Sequence, residues 1–201
     1  MNQQAVPAIR HYVRLSPGRI VKDGREVTAA QKSEDIYQLL QHPYIKFFKM
    51  DVLCKWAWLG AEYLLGHGED AVYKNIDKEK IAVAFFTGKG CLDVDIRYRE
   101  SIAAIPSPAL FVYTLPNIML GEVCIRHGFK GEQVCMVQPE PDFNEIFFYV
   151  NDLLAQTGME ACLCGWADAS GEAADVCFLW VTKAPGNTPF TAGNMEQLYI
   201  S

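Results

Sequence analysis

Seven cysteines and four histidines are the side chains here with the most obvious nucleophilic or metal-binding chemistry. The thiols are Cys54, Cys91, Cys124, Cys135, Cys162, Cys164 and Cys177, an odd set with no C-x-x-C pair. Most sit inside apolar runs, so they read as free thiols packed as small hydrophobes in a reducing compartment, not as a disulfide framework. Cys162 and Cys164 lie two apart in a strand-like run, which puts both on one sheet face. Such a pair could begin a metal site, but no histidine follows it and no metal is implied. His11, His42, His67 and His127 are scattered through the first part of the chain. His127 falls at the end of a helical pattern, where the helix dipole favours a partly positive imidazole. Gly88-Lys89-Gly90 is too short for a phosphate loop, and no nucleotide or other cofactor is implied.

The 201 residues carry a net charge of −6 and a pI near 5.2. That balance argues against a nucleic-acid partner, which needs a basic face. It also disfavours docking of another acidic protein unless the surface gathers a local basic patch. No apolar run approaches the roughly 20 residues of a membrane span. MNQQAVPAIRHYVR lacks the apolar stretch of a secretory signal, so a cytoplasmic protein is expected. The length suits one domain over residues 1–201, with strands and a hairpin in 1–30 and a loop-like tail over 185–201.

The elements follow from periodicity. Residues 9–15 alternate as a strand, and 20–27 form a hairpin around Asp23-Gly24. A short helix over 34–41 is stopped by Pro43. Residues 49–65 form an amphipathic helix with Met50, Leu53, Ala57, Ala61, Leu64 and Leu65 on its apolar stripe. IAVAFFTG, residues 81–88, reads as a strand covered on both faces. Residues 89–116 read mostly as connection. Asn117 is placed to cap a helix ending at Gly128, and GEQVCMV is the next strand. Asp142 opens a second strong helix, DFNEIFFYVNDLLAQ, and two strands joined at Ser170-Gly171 form a last hairpin. The sum is an α/β chain with a mixed sheet of roughly five strands, packed helices and a C-terminal β-hairpin.

Several segments carry a likeness beyond periodicity. They are FFKMDVLCKWAWLGAEYLL, IAVAFFTGKG, SPALFVYTLPNIMLGEVCIRHGFKGE and ACLCGWADA, in that order. Together they resemble the N-terminal half of the β-ketoacyl-acyl-carrier-protein synthases of the thiolase-like superfamily. More narrowly, the chain resembles the short 3-oxoacyl-acyl-carrier-protein synthase-like proteins of Bacteroidetes-type bacteria, found beside genes for fatty-acid-like or aryl-polyene-type pigments. The implied fold is a thiolase-like half-fold. In that family the nucleophilic cysteine sits on the turn between a strand and the central helix, where the helix N-terminus stabilises a thiolate.

Here that turn is Gln138-Pro139-Glu140-Pro141, and counting from Gly131 puts Glu140 at the nucleophile's position. The family's catalytic histidines come from its second half, and none of the four histidines here matches them. The resemblance therefore implies no catalytic residue. It implies instead a non-catalytic subunit or chain-length-factor-like partner of a ketosynthase, as a homodimer or in a complex with a full-length ketosynthase, with acyl carrier protein as a further partner. The alternatives are a stand-alone acyl- or carrier-binding module and a residual acyltransferase or malonyl decarboxylase. Phe147, Phe148 and Tyr149 on the last helix suggest an association face, since burying each adds about 1.5–3 kcal/mol. The competing expectation is that the tail folds over that face. Phe111 and Tyr113 lie where the family has residues near its dimer interface and acyl channel.

Overall fold

The computed structural model describes residues 6–28 and 30–201. Residues 1–5, part of the stretch read for a signal sequence, lie outside it. The described residues form a mixed sheet of eight strands, with spatial order β3-β2-β1-β7-β6-β4-β5 and β8 beside β1. The strands are β1 (Ala8–Ser16), β2 (Arg19–Lys22), β3 (Arg25–Thr28), β4 (Ile81–Thr87), β5 (Gln133–Val137), β6 (Ala161–Ser170), β7 (Ala173–Thr182) and β8 (Thr188–Pro189). The sheet is wider than the five strands expected. The N-terminal hairpin continues it through β1–β2 pairing, and the tail adds β8 to the start of β1.

β4, β5 and β6 run parallel, as strands joined by crossover helices can. β7 returns antiparallel to β6 through a two-residue turn, Gly171-Glu172, and β1 pairs antiparallel with β7. Alternate residues of β4 face opposite ways. Ile81, Val83 and Phe85 enter one core, and Ala82, Ala84 and Phe86 enter the other. Cys162 and Cys164 share the second face, as the alternation requires.

The first face carries α1 (Ser33–Leu40), α2 (Val52–Leu65) and α5 (Asn117–His127). A 3-10 turn, Ile45–Lys49, leads into α2, and the Asp51 side chain caps α2 by accepting from the Cys54 backbone N–H. α2 is not a one-sided helix. Trp56, Trp58 and Leu59 are buried along with the expected stripe, because α1 and α5 cover the side away from the sheet. Asn117 is the first residue of α5 rather than its cap, whereas Gly128 ends α5 at positive φ as expected.

The second face carries α6 (Phe143–Gln156) and α7 (Ala192–Ile200). Two stretches read as irregular are helical. Residues 89–116 contain α3 (Leu92–Ile102) and α4 (Pro108–Val112), and the tail contains α7. α3 and α7 each bury a single side chain fully, Val94 and Met195, so neither displays an apolar stripe in its sequence.

Candidate functional site

The parallel strands β4, β5 and β6 end on one side of the sheet, where open α/β sheets place their ligands. Backbone bonds gather those ends. The Gln138 N–H donates to the Thr87 carbonyl at 3.0 Å, which carries β5's register into the turn. The Asp168 carboxylate accepts from the Lys89 backbone N–H at 2.8 Å and from the Thr87 hydroxyl at 3.2 Å, pinning the loop after β4 to β6. Gly88 fits because any Cβ there would stand 3.2 Å from the Trp166 ring.

Pro139 and Pro141 stiffen the turn, and Asp142 then caps α6. Its Oδ1 accepts from the Asn144 and Glu145 backbone N–H groups at 2.9 and 3.1 Å. These are among the donors a helix N-terminus would otherwise offer an anion. Asp142 uses them, so they are not free to stabilise an oxyanion. The turn and α6 line a concavity of about 500 Å³, closed on the far side by Ala192, Gly193 and Glu196 of α7. Glu140 is exposed at its rim, and Asp142, Glu145 and Glu196 make it acidic.

No thiol of the described residues lines this concavity. Cys135 sits within β5 and packs against the core of the α2–α5 face. Burial pushes its pKa up to about 11, and those of Cys91, Cys124 and Cys177 to about 12. Burial also raises Cys54 and Cys164 well above the ordinary thiol range. These thiols are held protonated at neutral pH, the less nucleophilic form.

The histidines belong elsewhere. His11 meets Asp23 in the N-terminal hairpin. His42 and His127 converge on the fully buried Glu62 carboxylate, with Nδ1 at 3.1 Å and Nε2 at 3.4 Å respectively, while Arg126 Nε donates to it at 2.7 Å. His67 faces His42 at 5.5 Å between rings. This cluster is built on α2 and α5, on the sheet face away from α6. His127 is not the partly positive group expected at a helix end. Desolvation and the nearby Arg126 and Lys78 charges lower its pKa to about 3, so it is neutral, with Nδ1 2.9 Å from the Tyr73 hydroxyl.

The five surface candidates do not form one surface. Phe148 is 65% exposed and Phe111 58%. Tyr113 is buried, and its hydroxyl donates to Glu122 at 3.3 Å. Phe147 and Tyr149 are half-buried, Phe147 against Phe190 at 5.6 Å and Tyr149 near Phe86 at 6.2 Å. Consecutive helical residues splay about 100° apart, so three adjacent rings cannot share one face. The tail folds over the Phe143–Phe147 flank, and Tyr199 packs on Phe143 at 5.3 Å.

One residue of the site was missed in the sequence. Both amide atoms of Gln138 are enclosed at the concavity and lack a hydrogen-bond partner. A polar residue between a strand and a proline resembles any loop glutamine, and only its enclosure in the folded chain singles it out. The amide supplies a donor and an acceptor beside four carboxylates, an arrangement that can orient a polar ligand group but contains no sulfur nucleophile.

No family model matches the sequence, and no curated protein does. Solved structures do. The ishigamide ketosynthase/chain length factor superposes with a TM-score of 0.65 at 19% identity, over 88% of this chain and 62% of that one. A ketosynthase in complex with its chain length factor from Xenorhabdus doucetiae gives 0.59 at 11% identity, over 96% of this chain and 90% of that one. A β-ketoacyl synthase from Burkholderia phymatum gives 0.61 at 12%, over 89% and 59%. The chain thus spans about three-fifths of the length of the first and third of these. At such identities the agreement concerns architecture, and it establishes that this chain has the thiolase-like fold of the β-ketoacyl synthases and their chain length factors.

Proposed function

We propose that the chain is a non-catalytic, ketosynthase-like subunit that assembles with a condensing enzyme of fatty-acid or polyketide-type pigment biosynthesis in the cytoplasm. One observation carries this reading. At the amino end of α6, where the resemblance puts a reactive cysteine, the chain has Glu140, and the Asn144 and Glu145 N–H groups are bound by Asp142. A carboxylate cannot carry an acyl thioester, and the cap leaves little dipole for a thiolate. Two of the similar structures are of ketosynthases with chain length factors, which favours a companion role.

The surfaces fit that role. β5 is an edge strand, paired only with β4 among the described residues, and Val137 at its end is 61% exposed. Such an edge accepts a strand from a partner. The 3-10 turn Ile45–Lys49 offers an acidic carrier protein one exposed lysine, Lys49, since Lys46 pairs with Glu122 at 2.8 Å. With three residues per turn, Phe47 and Met50 align inward, Ile45 and Phe48 align outward at 83% and 56% exposure, and Lys46 and Lys49 form a third line beside them.

Coexpression of the chain with a full-length ketosynthase from the same genome tests the proposal. The expected result is a stable complex whose product length or yield depends on this chain. Isolation of the chain alone, with malonyl-carrier decarboxylation that Glu140→Ala abolishes, would replace the proposal with a residual enzyme.

A further inference from the structure

His42 and His67 come from different loops, one just before the 3-10 turn Ile45–Lys49 and the other just after α2. Their rings nevertheless stand 5.5 Å apart between centres, tilted by 48°. Among the described residues His67 has no hydrogen-bond partner, and His42 has one, Glu62 Oε2 at 3.1 Å from its Nδ1.

Both rings are held in place. The Glu62 side chain has no solvent exposure and is fixed by Arg126 Nε at 2.7 Å, so it orients His42 from a rigid base. An ionised carboxylate only accepts, so Nδ1 carries the proton, and in the neutral ring the lone pair is left on Nε2. A carboxylate behind one imidazole nitrogen is the arrangement that orients metal-binding histidines. His67 sits between Gly66 and Gly68, both at positive φ, +68° and +62°. Backbone bonds tie that turn: Gly66 N–H to the Glu62 carbonyl at 3.0 Å, Val72 N–H to the Leu65 carbonyl at 2.9 Å and Ala71 N–H to the Gly68 carbonyl at 3.2 Å. Glu69 and Asp70 follow, and both are exposed.

The spacing suits an ion between the rings. A zinc–nitrogen bond of about 2.0–2.1 Å puts each ring centre about 3.2 Å from the metal, so rings 5.5 Å apart subtend about 120° there, close to tetrahedral. Among the described residues no three His, Cys, Asp or Glu side chains form a metal cage, so water must complete the coordination. We propose that His42 and His67 bind one divalent transition-metal ion of the zinc class and so clamp the loop before the 3-10 turn to the loop after α2. Imidazole ligands favour such ions over Mg²⁺ and Ca²⁺, which prefer oxygen. The site lies on the sheet face away from α6, requires no ketosynthase partner, and is tested on this chain alone.

Zinc chloride titrated calorimetrically into the chelator-treated chain should bind one ion per chain and raise the thermal midpoint, whereas magnesium chloride should do neither. His42→Ala and His67→Ala should each weaken zinc binding at least tenfold and abolish the rise. His67→Cys, which keeps a zinc ligand, should recover much of what His67→Ala loses. His11→Ala, in the N-terminal hairpin against Asp23, should bind zinc as the parent does. If His42→Ala lowers the metal-free midpoint through its lost bond to Glu62, His67→Ala decides the matter, because it breaks no hydrogen bond among the described residues. Absence of zinc binding, or binding of equal strength in His67→Ala and the parent, would overturn the proposal.

Discussion

Arg126 of α5 closes on the carboxylate of Glu62 in α2, with Nε at 2.7 Å and Nη2 at 3.4 Å, and so ties the two helices of one face together. The Glu62 side chain has no solvent exposure and that of Arg126 has 12%. Removing one partner of such a pair leaves an uncompensated buried charge, which costs about 3–5 kcal/mol. Arg126→Met should therefore lower the urea midpoint sharply. The double variant Arg126→Met with Glu62→Gln should recover part of the loss, because the second change removes the stranded charge. A single-variant loss below about 1 kcal/mol would mean that water reaches Glu62.

His127 makes the same cluster a source of acid sensitivity. In the folded chain its pKa lies near 3, against 6.5 for an unperturbed imidazole, because burial and the facing Arg126 and Lys78 disfavour its charge. Glu62 is within 3.4 Å, but its negative charge is already engaged by Arg126, so it does not reverse that effect. Unfolding frees His127 to take up a proton below about pH 6.5, so the unfolded state binds more protons there. Stability from this group is present above pH 6.5 and is lost progressively as pH falls toward 3. Denaturant midpoints at pH 7 and pH 5 should show the loss, and His127→Gln should flatten it. His42 and His67 face the same carboxylate region and are unchanged in the variant. An unchanged slope in His127→Gln would contradict the assignment.

Gly165 tests the sheet itself. It lies in β6 at a φ of +138° opposite Phe178, and a Cβ there would overlap the Cys177 carbonyl oxygen of the neighbouring strand. Neither backbone can yield without breaking the β6–β7 ladder. Gly165→Ala should cost more than about 3 kcal/mol, in the range reserved for specific structural defects, and should leave little soluble protein. Gly171→Ala, in the open hairpin turn with no neighbour within 4 Å of the added Cβ, is the control. Its cost should stay near the roughly 1 kcal/mol of a strained positive φ.

These contrasts explain which parts of the molecule could be read from its sequence. β4 announced itself because it is buried on both faces and apolar throughout, and α6 did so through a strong one-sided pattern closed by the Asp142 cap. α3 did not, because Asp93, Asp95, Arg97 and Arg99 alternate with apolar residues of which only Val94 is buried, a rhythm that imitates a strand. α7 hid for the same reason, since docking through Met195 leaves no stripe. Near the candidate site, the turn that holds Glu140 was legible as the break between a strand and a helix. Gln138 and the α7 wall were not, because enclosure of an amide and closure by a distant tail are properties of tertiary contact.

Lys49 offers a direct measure of whether the 3-10 turn takes part in carrier docking. It stands exposed on the cationic line of the 3-10 turn, while Lys46 on the same line is committed to Glu122 at 2.8 Å. Lys49→Glu should leave the fold within about 0.5 kcal/mol of the parent, as exposed substitutions do. It should weaken binding of an acidic carrier protein severalfold, with a reduced dependence on salt. Equal carrier binding by both forms would separate that partner from this surface.

Val137 isolates the edge of β5. Its side chain is 61% exposed and β5 has only β4 as a neighbour among the described residues, so a lysine there alters nothing that the chain itself buries. Lysine on an edge strand is one of the devices by which proteins prevent strand addition, because pairing would desolvate the ammonium group. Val137→Lys should keep the parent's thermal midpoint within a degree or two, since an exposed substitution changes stability by about 0.5 kcal/mol at most. In coexpression with the condensing enzyme it should reduce complex yield at least tenfold, equivalent to about 1.4 kcal/mol. Ser and Thr at the same position carry no charge and should leave the complex nearly intact. If Val137→Lys copurified as well as the parent while the complex itself was stable, the partner would have to engage another surface, and the exposed Phe111 on α4 would be the next position to charge.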